Sequence, residues 1–254
     1  YTITPTSQLA NHPYVIEGVL RNSGSSDQTS ILKYEVSGTA SYSGSSAATS
    51  VLAYSLTNTI DSVIVGASPS LSPPIGLYGV SIWGESDSAG VTTTVSDTTY
   101  KTIEISDYIY AKDNGTNVDG DAADSWIVGG PEDQYHFTTR YEMYADESLY
   151  ALRTYITDES VIGAEIKAVV YEIDTTIANA DGGVILINES DNYTITAQDL
   201  CAWVDIAFVD PIELYNGYAY DVGIAGFIHP TDSAFIGTSG QSIYNGEHSL
   251  FDEL

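Results

Sequence analysis

Basic residues are scarce in this chain: seven Lys plus Arg stand against 35 Asp plus Glu in 254 residues, a formal net charge of −28. A surface of that sign repels a phosphate backbone instead of releasing its counterions, which excludes nucleic acid as a partner. It equally opposes charge-driven adhesion to anionic lipid, and no apolar run approaches the roughly 20 residues that a membrane-spanning helix needs. Cysteine is reduced to Cys201, so no intrachain disulfide can form. Its apolar setting between Leu200 and Val204 reads as a small buried hydrophobe rather than a nucleophile. Catalytic signatures are missing too. His12, His136, His229 and His248 are far apart and none has an HExxH neighbourhood, no Gly-x-Ser-x-Gly elbow occurs, and with 35 carboxylates any two strands bring some together by chance. The opening residues contain no basic segment followed by an apolar one, so any signal peptide is expected to have been removed or to lie outside this stretch.

What the chain does have is core material and turns. Hydrophobic residues make up 43% and charged residues 17%, which argues for folded structure over disorder. Period-2 alternation dominates and no window carries a sustained 3.6-residue apolar stripe, so nearly all of it reads as strand. Tyr14–Arg21 sets Tyr14, Ile16 and Leu20 against Glu17 and Arg21, with Gly18 interrupting. A turn over 22–27 leads to Leu32, Tyr34 and Val36 opposite Lys33 and Glu35, and these two strands are expected to pair. Further strands are expected at Ser50–Leu56, Asp61–Val65, Gly76–Gly84 and Tyr100–Ser106, with Pro69, Pro73 and Pro74 marking a loop. This number and rhythm suits an immunoglobulin-like sandwich over 1–110.

Residues 111–125 are polar and acidic and form the expected linker. Asp113, Asn117, Asp119, Asp121 and Asp124 offer the oxygen donors that Ca²⁺ prefers, although an EF-hand register starting at Asp113 puts Val118 where the loop glycine belongs. Two readings stay open, a Ca²⁺ loop and a plain acidic linker. From 126 to 254 a second sandwich is expected, with strands at Gln134–Tyr144, Ser148–Thr157, Ala164–Ile173, Val184–Asn188, Tyr193–Thr196, Trp203–Val209 and Tyr218–Phe227. Alternation predicts inward rows of Tyr135, Phe137, Tyr141 and Met143, of Tyr150, Leu152 and Ile156, of Val169, Tyr171 and Ile173, and of Tyr218, Tyr220, Val222 and Ile224. Ala197–Leu200 reads as one helical turn capped by Thr196. Trp203 is expected to be buried, whereas Trp126 is the candidate ligand platform, an aromatic face for a sugar.

The segments YVIEGVLRNSGSSDQTSILKYEVSG and TTVSDTTYKTIEISDYIYAKDNG resemble the strand-turn-strand and final strand of adhesion-related immunoglobulin-like domains in bacterial surface proteins. The segment YHFTTRYEMYADESLYALRTYITDESVIGAEIKAVVYEID resembles the jelly-roll-like domain that follows them. Together the chain resembles tandem sandwich modules of Bacteroidetes proteins exported by the type IX secretion system. No sorting domain is visible, and Tyr1-Thr2-Ile3 looks like the middle of a domain's opening, so a fragment of a longer protein is expected. The resemblance implies an all-β fold of two tandem antiparallel sandwiches, first immunoglobulin-like and then jelly-roll-like. It also implies an extracellular or cell-surface location and a structural or adhesive role without catalysis, through self-association or contact with other surface proteins. Glycans are the alternative partner, which would make the chain a carbohydrate-binding module, and a glycoside hydrolase or protease, for which no motif is present, is the third class. Asp-Ser/Thr pairs resemble the O-glycosylation acceptors of the same bacteria, which would place sugars on Ser62, Ser88, Thr98, Thr175 and Ser233.

Overall fold

A computed structural model describes residues 2–53, 62–66, 71–88, 91–112, 125–131, 134–174, 183–238 and 248–252. The chain is almost entirely strand and divides into two compact units, Tyr1–Gly115 and Thr116–Leu254.

In the first unit, β1 (Ile3–Pro5) is followed by a short helix α1 (Thr6–Asn11), then β2 (Glu17–Arg21), β3 (Gln28–Gly38), β4 (Tyr42–Ser45) and β5 (Thr49–Val51). After these come β6 (Ser62–Gly66), β7 (Gly76–Ser88), β8 (Val91–Val95) and β9 (Thr99–Ser106). One sheet runs β1-β9-β7-β3-β4 and the other is the β2-β6 pair. This is the division of an immunoglobulin-like sandwich, with β3, β7 and β9 as the C, F and G strands and β2 and β6 as B and E. The first strand runs parallel to the last, with Ile3 beside Glu104.

Alternation sets the core here. Leu32, Tyr34 and Val36 are all buried, each contributing roughly 1.5–3 kcal/mol by leaving water. Facing them across the β3–β7 ladder are Gly84, Ile82 and Val80. Tyr78, fully buried near the start of β7, donates its hydroxyl to the Pro74 carbonyl at 2.7 Å. That contact is the tyrosine corner of immunoglobulin-like folds. Outside the core, Lys33 lies 2.8 Å from Glu85, and its hydrogen bond, then that of the Trp83 indole, holds Glu85 below the usual carboxylate range.

Two expectations for this unit are corrected. The Tyr14–Arg21 segment does not pair with the Leu32 strand: β2 pairs with β6 and β3 with β7, because the connection between them crosses from one sheet to the other as an arch. The helix α1 was not anticipated, since its six residues bury only Gln8 and Leu9 and six residues are too few to display a 3.6 period.

The second unit comprises β10 (Ser125–Gly129), β11 (Tyr135–Glu142), β12 (Glu147–Ile156), β13 (Glu165–Asp174) and β14 (Gly183–Glu189). It continues with β15 (Tyr193–Thr194), β16 (Ala202–Leu214), β17 (Ala219–Gly226), β18 (Ala234–Gly237) and β19 (His248–Asp252). Its sheets are β10-β18-β12-β16 and β14-β13-β17-β11-β19. Partners nest as β10/β18, β11/β17, β12/β16 and β13/β14, alternating between the two sheets. A single long hairpin rolled around a core produces this order, which is a jelly roll. Backbones of the two sheets meet at Gly226, where an added Cβ would lie 2.2 Å from the Val128 carbonyl oxygen and 2.5 Å from the Gly129 nitrogen.

Several inward rows are reassigned. Tyr150 and Trp203 point outward, with Val204, Ile206 and Phe208 filling the core instead. His136 and Thr138 are fully buried beside the expected Phe137 row, and Ile166, Ala168 and Val170 are as buried as Val169. The sheet of β11, β13 and β17 is covered on both faces, so parity alone could not choose one. Tyr218 is about half exposed, while Tyr220, Val222 and Ile224 are buried as expected.

Candidate functional site

The outward face of β12 and β16 carries exposed aromatic and charged side chains. Cross-strand neighbours Tyr155 and Trp203 meet edge-on with ring centroids 5.6 Å apart. In the next outward pair, the Arg153 guanidinium donates twice to the Asp205 carboxylate, at 2.6 and 2.8 Å. Each charge favours the other: Arg153 holds Asp205 below the usual carboxylate range, and Asp205 raises Arg153. Ser148 donates to Glu213 further along. Val209 and Tyr150 are also exposed, at 73% and 66%. A planar charged pair beside an aromatic edge can accept and donate hydrogen bonds and can stack, but it places no nucleophile next to a base.

The strand β16 ends its sheet and is hydrogen-bonded to β12 alone among the described residues. It starts directly after Cys201, which has φ 56°, and Pro211 with a register shift between Leu149 and Ala151 interrupts its second half.

Buried polar groups gather on the other sheet. Arg140 on β11 lies across from Asp221 on β17 and donates to both carboxylate oxygens, at 3.0 and 3.2 Å. Asp221 is fully buried, and such a bidentate partner satisfies the oxygens of a buried carboxylate. The His136 ring hydrogen-bonds the Tyr171 hydroxyl of β13. Sequence reading named His136 only as one of four scattered histidines and Tyr171 only as part of an inward row, and it missed Arg140 and Asp221. For His136 and Asp221 the signal that could have found them is a titratable residue at a strand position flanked on both sides by apolar or aromatic residues.

A shallow pocket of about 200 Å³ lies elsewhere in the second unit, lined by Glu165, Phe227, His229, Asp232 and two glycines, Gly129 and Gly163. The His229 Nδ1 accepts the Asp232 backbone N–H at 3.1 Å and lies 3.2 Å from its carboxylate, a local turn closure. The Lys167 ammonium sits 5.5 Å from the Phe227 ring centre. Among the described residues no group of three or more His, Cys, Asp or Glu is arranged to hold a metal ion.

The residues singled out from sequence are dispersed. Asp113, Asn117, Asp119, Asp121 and Asp124 lie outside the described residues, as does Thr175. Trp126 on β10 is 44% exposed and stacks one face on Phe137 at 6.2 Å. Ser62 begins β6 and Ser88 ends β7. Thr98 is half-buried in the connection from β8 to β9, and Ser233 is half-buried, with its carbonyl accepting the Val161 N–H. Cys201 is exposed rather than buried, because it closes the 197–201 turn in a left-handed conformation and leaves the core positions to Val204 and Ile206. Thr196 caps that turn as expected: its hydroxyl oxygen accepts the Gln198 N–H at 3.4 Å, while its backbone N–H and hydroxyl donate to Asp199. Burial works against the Asp199 charge, but these two bonds and one from Tyr193 outweigh it and lower its pKa.

No protein-family model matches the chain, and no curated protein matches its sequence. Among the described residues no helix is long and apolar enough to cross a membrane.

Proposed function

We propose that the chain is a structural or adhesive segment of an extracellular or cell-surface assembly, in which two sandwiches space and present surfaces and perform no catalysis. One observation carries this reading: both units turn large apolar side chains outward from their sheets. In the first, Val19 and Ile64 are directly paired across β2 and β6 and are 65% and 72% exposed. In the second, Tyr150 and Val209 are exposed to a similar degree. Outward apolar groups rimmed by charge are the usual mark of protein contact surfaces. The resemblance to Bacteroidetes surface modules adds the cell surface as location and type IX export as route. It also adds O-linked sugar on the Asp-Ser/Thr sites, and a Ca²⁺ loop at 113–124 would rigidify the linker.

A second reading, a carbohydrate-binding module, is favoured by Trp126, which has one ring face supported by Phe137 and remains 44% exposed. Sedimentation velocity across a salt series, run beside a glycan array, separates the two. Association that grows with salt and an empty array are expected. A monomer at every salt that binds one glycan tightly, with binding lost on Trp126→Ala, would overturn the structural reading in favour of the carbohydrate-binding one.

A further inference from the structure

We propose that the β16 edge is a self-complementary interface through which a second copy of this chain extends the β10-β18-β12-β16 sheet by antiparallel two-fold pairing about Ile206. The proposal rests on the assembly reading above and names its partner and contact.

An open edge strand offers unpaired N–H and C=O groups to any neighbour, and proteins blunt such edges with prolines, bulges or charges. In β16 that blunting is confined to the second half, at Pro211 and the nearby register shift. From Ala202 to Val209 the run is Ala-Trp-Val-Asp-Ile-Ala-Phe-Val, rich in strand formers and carrying one charge. That charge, Asp205, is already neutralised by Arg153.

The register follows from pairing rules. Faces match only when residues of equal parity oppose each other, because a one-residue slip turns core side chains outward. Centring the axis on Asp205 would oppose two carboxylates, and centring it on Ala207 would bring Asp210 and Pro211 into the ladder. Like charges directly opposite are destabilising, and proline has no N–H to donate. About Ile206 both faults vanish. Trp203 opposes Val209 of the second copy on the outward face, Asp205 opposes Ala207, and Val204 opposes Phe208 on the inward face. The two interruptions then face each other at the ends, since Cys201, in its left-handed conformation, falls opposite Pro211. The pairing spans Trp203 to Val209, with Phe208 and Val209 lying past Ala207, where the ladder to β12 shifts register, and Ala202 falling opposite Asp210 at the end.

With −28 on each copy, long-range repulsion opposes the contact until salt shortens the screening length to about 10 Å at 0.1 M. The dimer is therefore expected to form in salt and to dissociate at low ionic strength.

Directly opposed Cβ atoms lie about 4.5–5.5 Å apart, within reach of a disulfide after small adjustment. In the full chain carrying Cys201→Ser, Trp203→Cys and Val209→Cys variants are prepared separately, mixed in 0.5 M salt and oxidised. A covalent dimer from the mixture but from neither variant alone is expected. As an independent measurement, Val209→Lys, at a position exposed enough to leave the fold intact, should weaken association at least tenfold by sedimentation with an unchanged melting curve. If copies associate with no cross-link and Val209→Lys has no effect, the β16 interface is wrong while the assembly reading stands. A chain monomeric at every salt overturns both.

Discussion

Replacing Tyr78 with Phe removes one oxygen from a fully buried ring and nothing else. The ring continues to fill its site in the core of the first unit, so the apolar burial survives and only the 2.7 Å bond to the Pro74 carbonyl is lost. Two outcomes compete. If the carbonyl were sealed from water, the loss would approach the full desolvation cost of about 3 kcal/mol. Pro74, however, is exposed, so water can replace the phenol, and the net worth of a typical hydrogen bond, about 1 kcal/mol, is expected. In a unit of this size that loss lowers the midpoint by about 4–8 °C. Hydrogen exchange followed by mass spectrometry through a denaturant series reads it selectively: peptides from β3 and β7 should lose protection earlier, with those from β13 and β17 as internal reference. Tyr78→Ala, which also empties the ring's volume, should cost about 3–5 kcal/mol. A Tyr78→Phe chain as stable as the parent would show that the corner is geometry without energy. A loss equal to that of Tyr78→Ala would show that the hydroxyl, not the ring, organises β7.

Gly226→Ala forces a methyl onto the Val128 and Gly129 backbone and should destabilise the second unit by about 1–3 kcal/mol in urea unfolding, whereas a neutral or stabilising result would mean that β10 does not press on β17 there. For Arg153 and Asp205, the folded-state carboxylate is depressed, so the pair's contribution is present above the ordinary value of 3.8 and is lost as the pH falls through the folded value. Both side chains are more than half exposed, so Arg153→Met should cost under about 1 kcal/mol at pH 7. The gap in melting temperature should shrink toward acid and in high salt, and a gap that widens toward acid refutes the assignment.

Particular residues show how far a one-dimensional reading reaches. Leu32, Tyr34 and Val36 were legible as a buried row because their strand has one wet and one dry face, so parity equals burial. The same logic placed Trp203 in the core, but the strand begins one residue earlier, after the left-handed Cys201, and the dry parity belongs to Val204 and Ile206. On β11 and β17 it could not succeed. His136 and Thr138 on β11 and Asp221 on β17 are as buried as their apolar neighbours, so no alternation marks them. The Arg140–Asp221 pair joins residues 81 positions apart, a separation at which local pattern carries no information. Of the surfaces now proposed for contact, Trp126 was visible as an aromatic beside an acidic run. The β16 edge was not, because which strands flank it among the described residues is set by the tertiary pairing and not by its own sequence.

By itself the sequence determined that this chain is all-β, strongly acidic and built of short strands parted by polar turns, since side-chain period, turn chemistry and charge are local quantities. Only the tertiary structure decided which strands meet. Consecutive strands can close as a hairpin within one sheet or arch across to the other with nearly the same local sequence. The choice that separates β2 from β3, rolls β10 through β18 into nested pairs and leaves β16 at an edge is made by burying two cores at once.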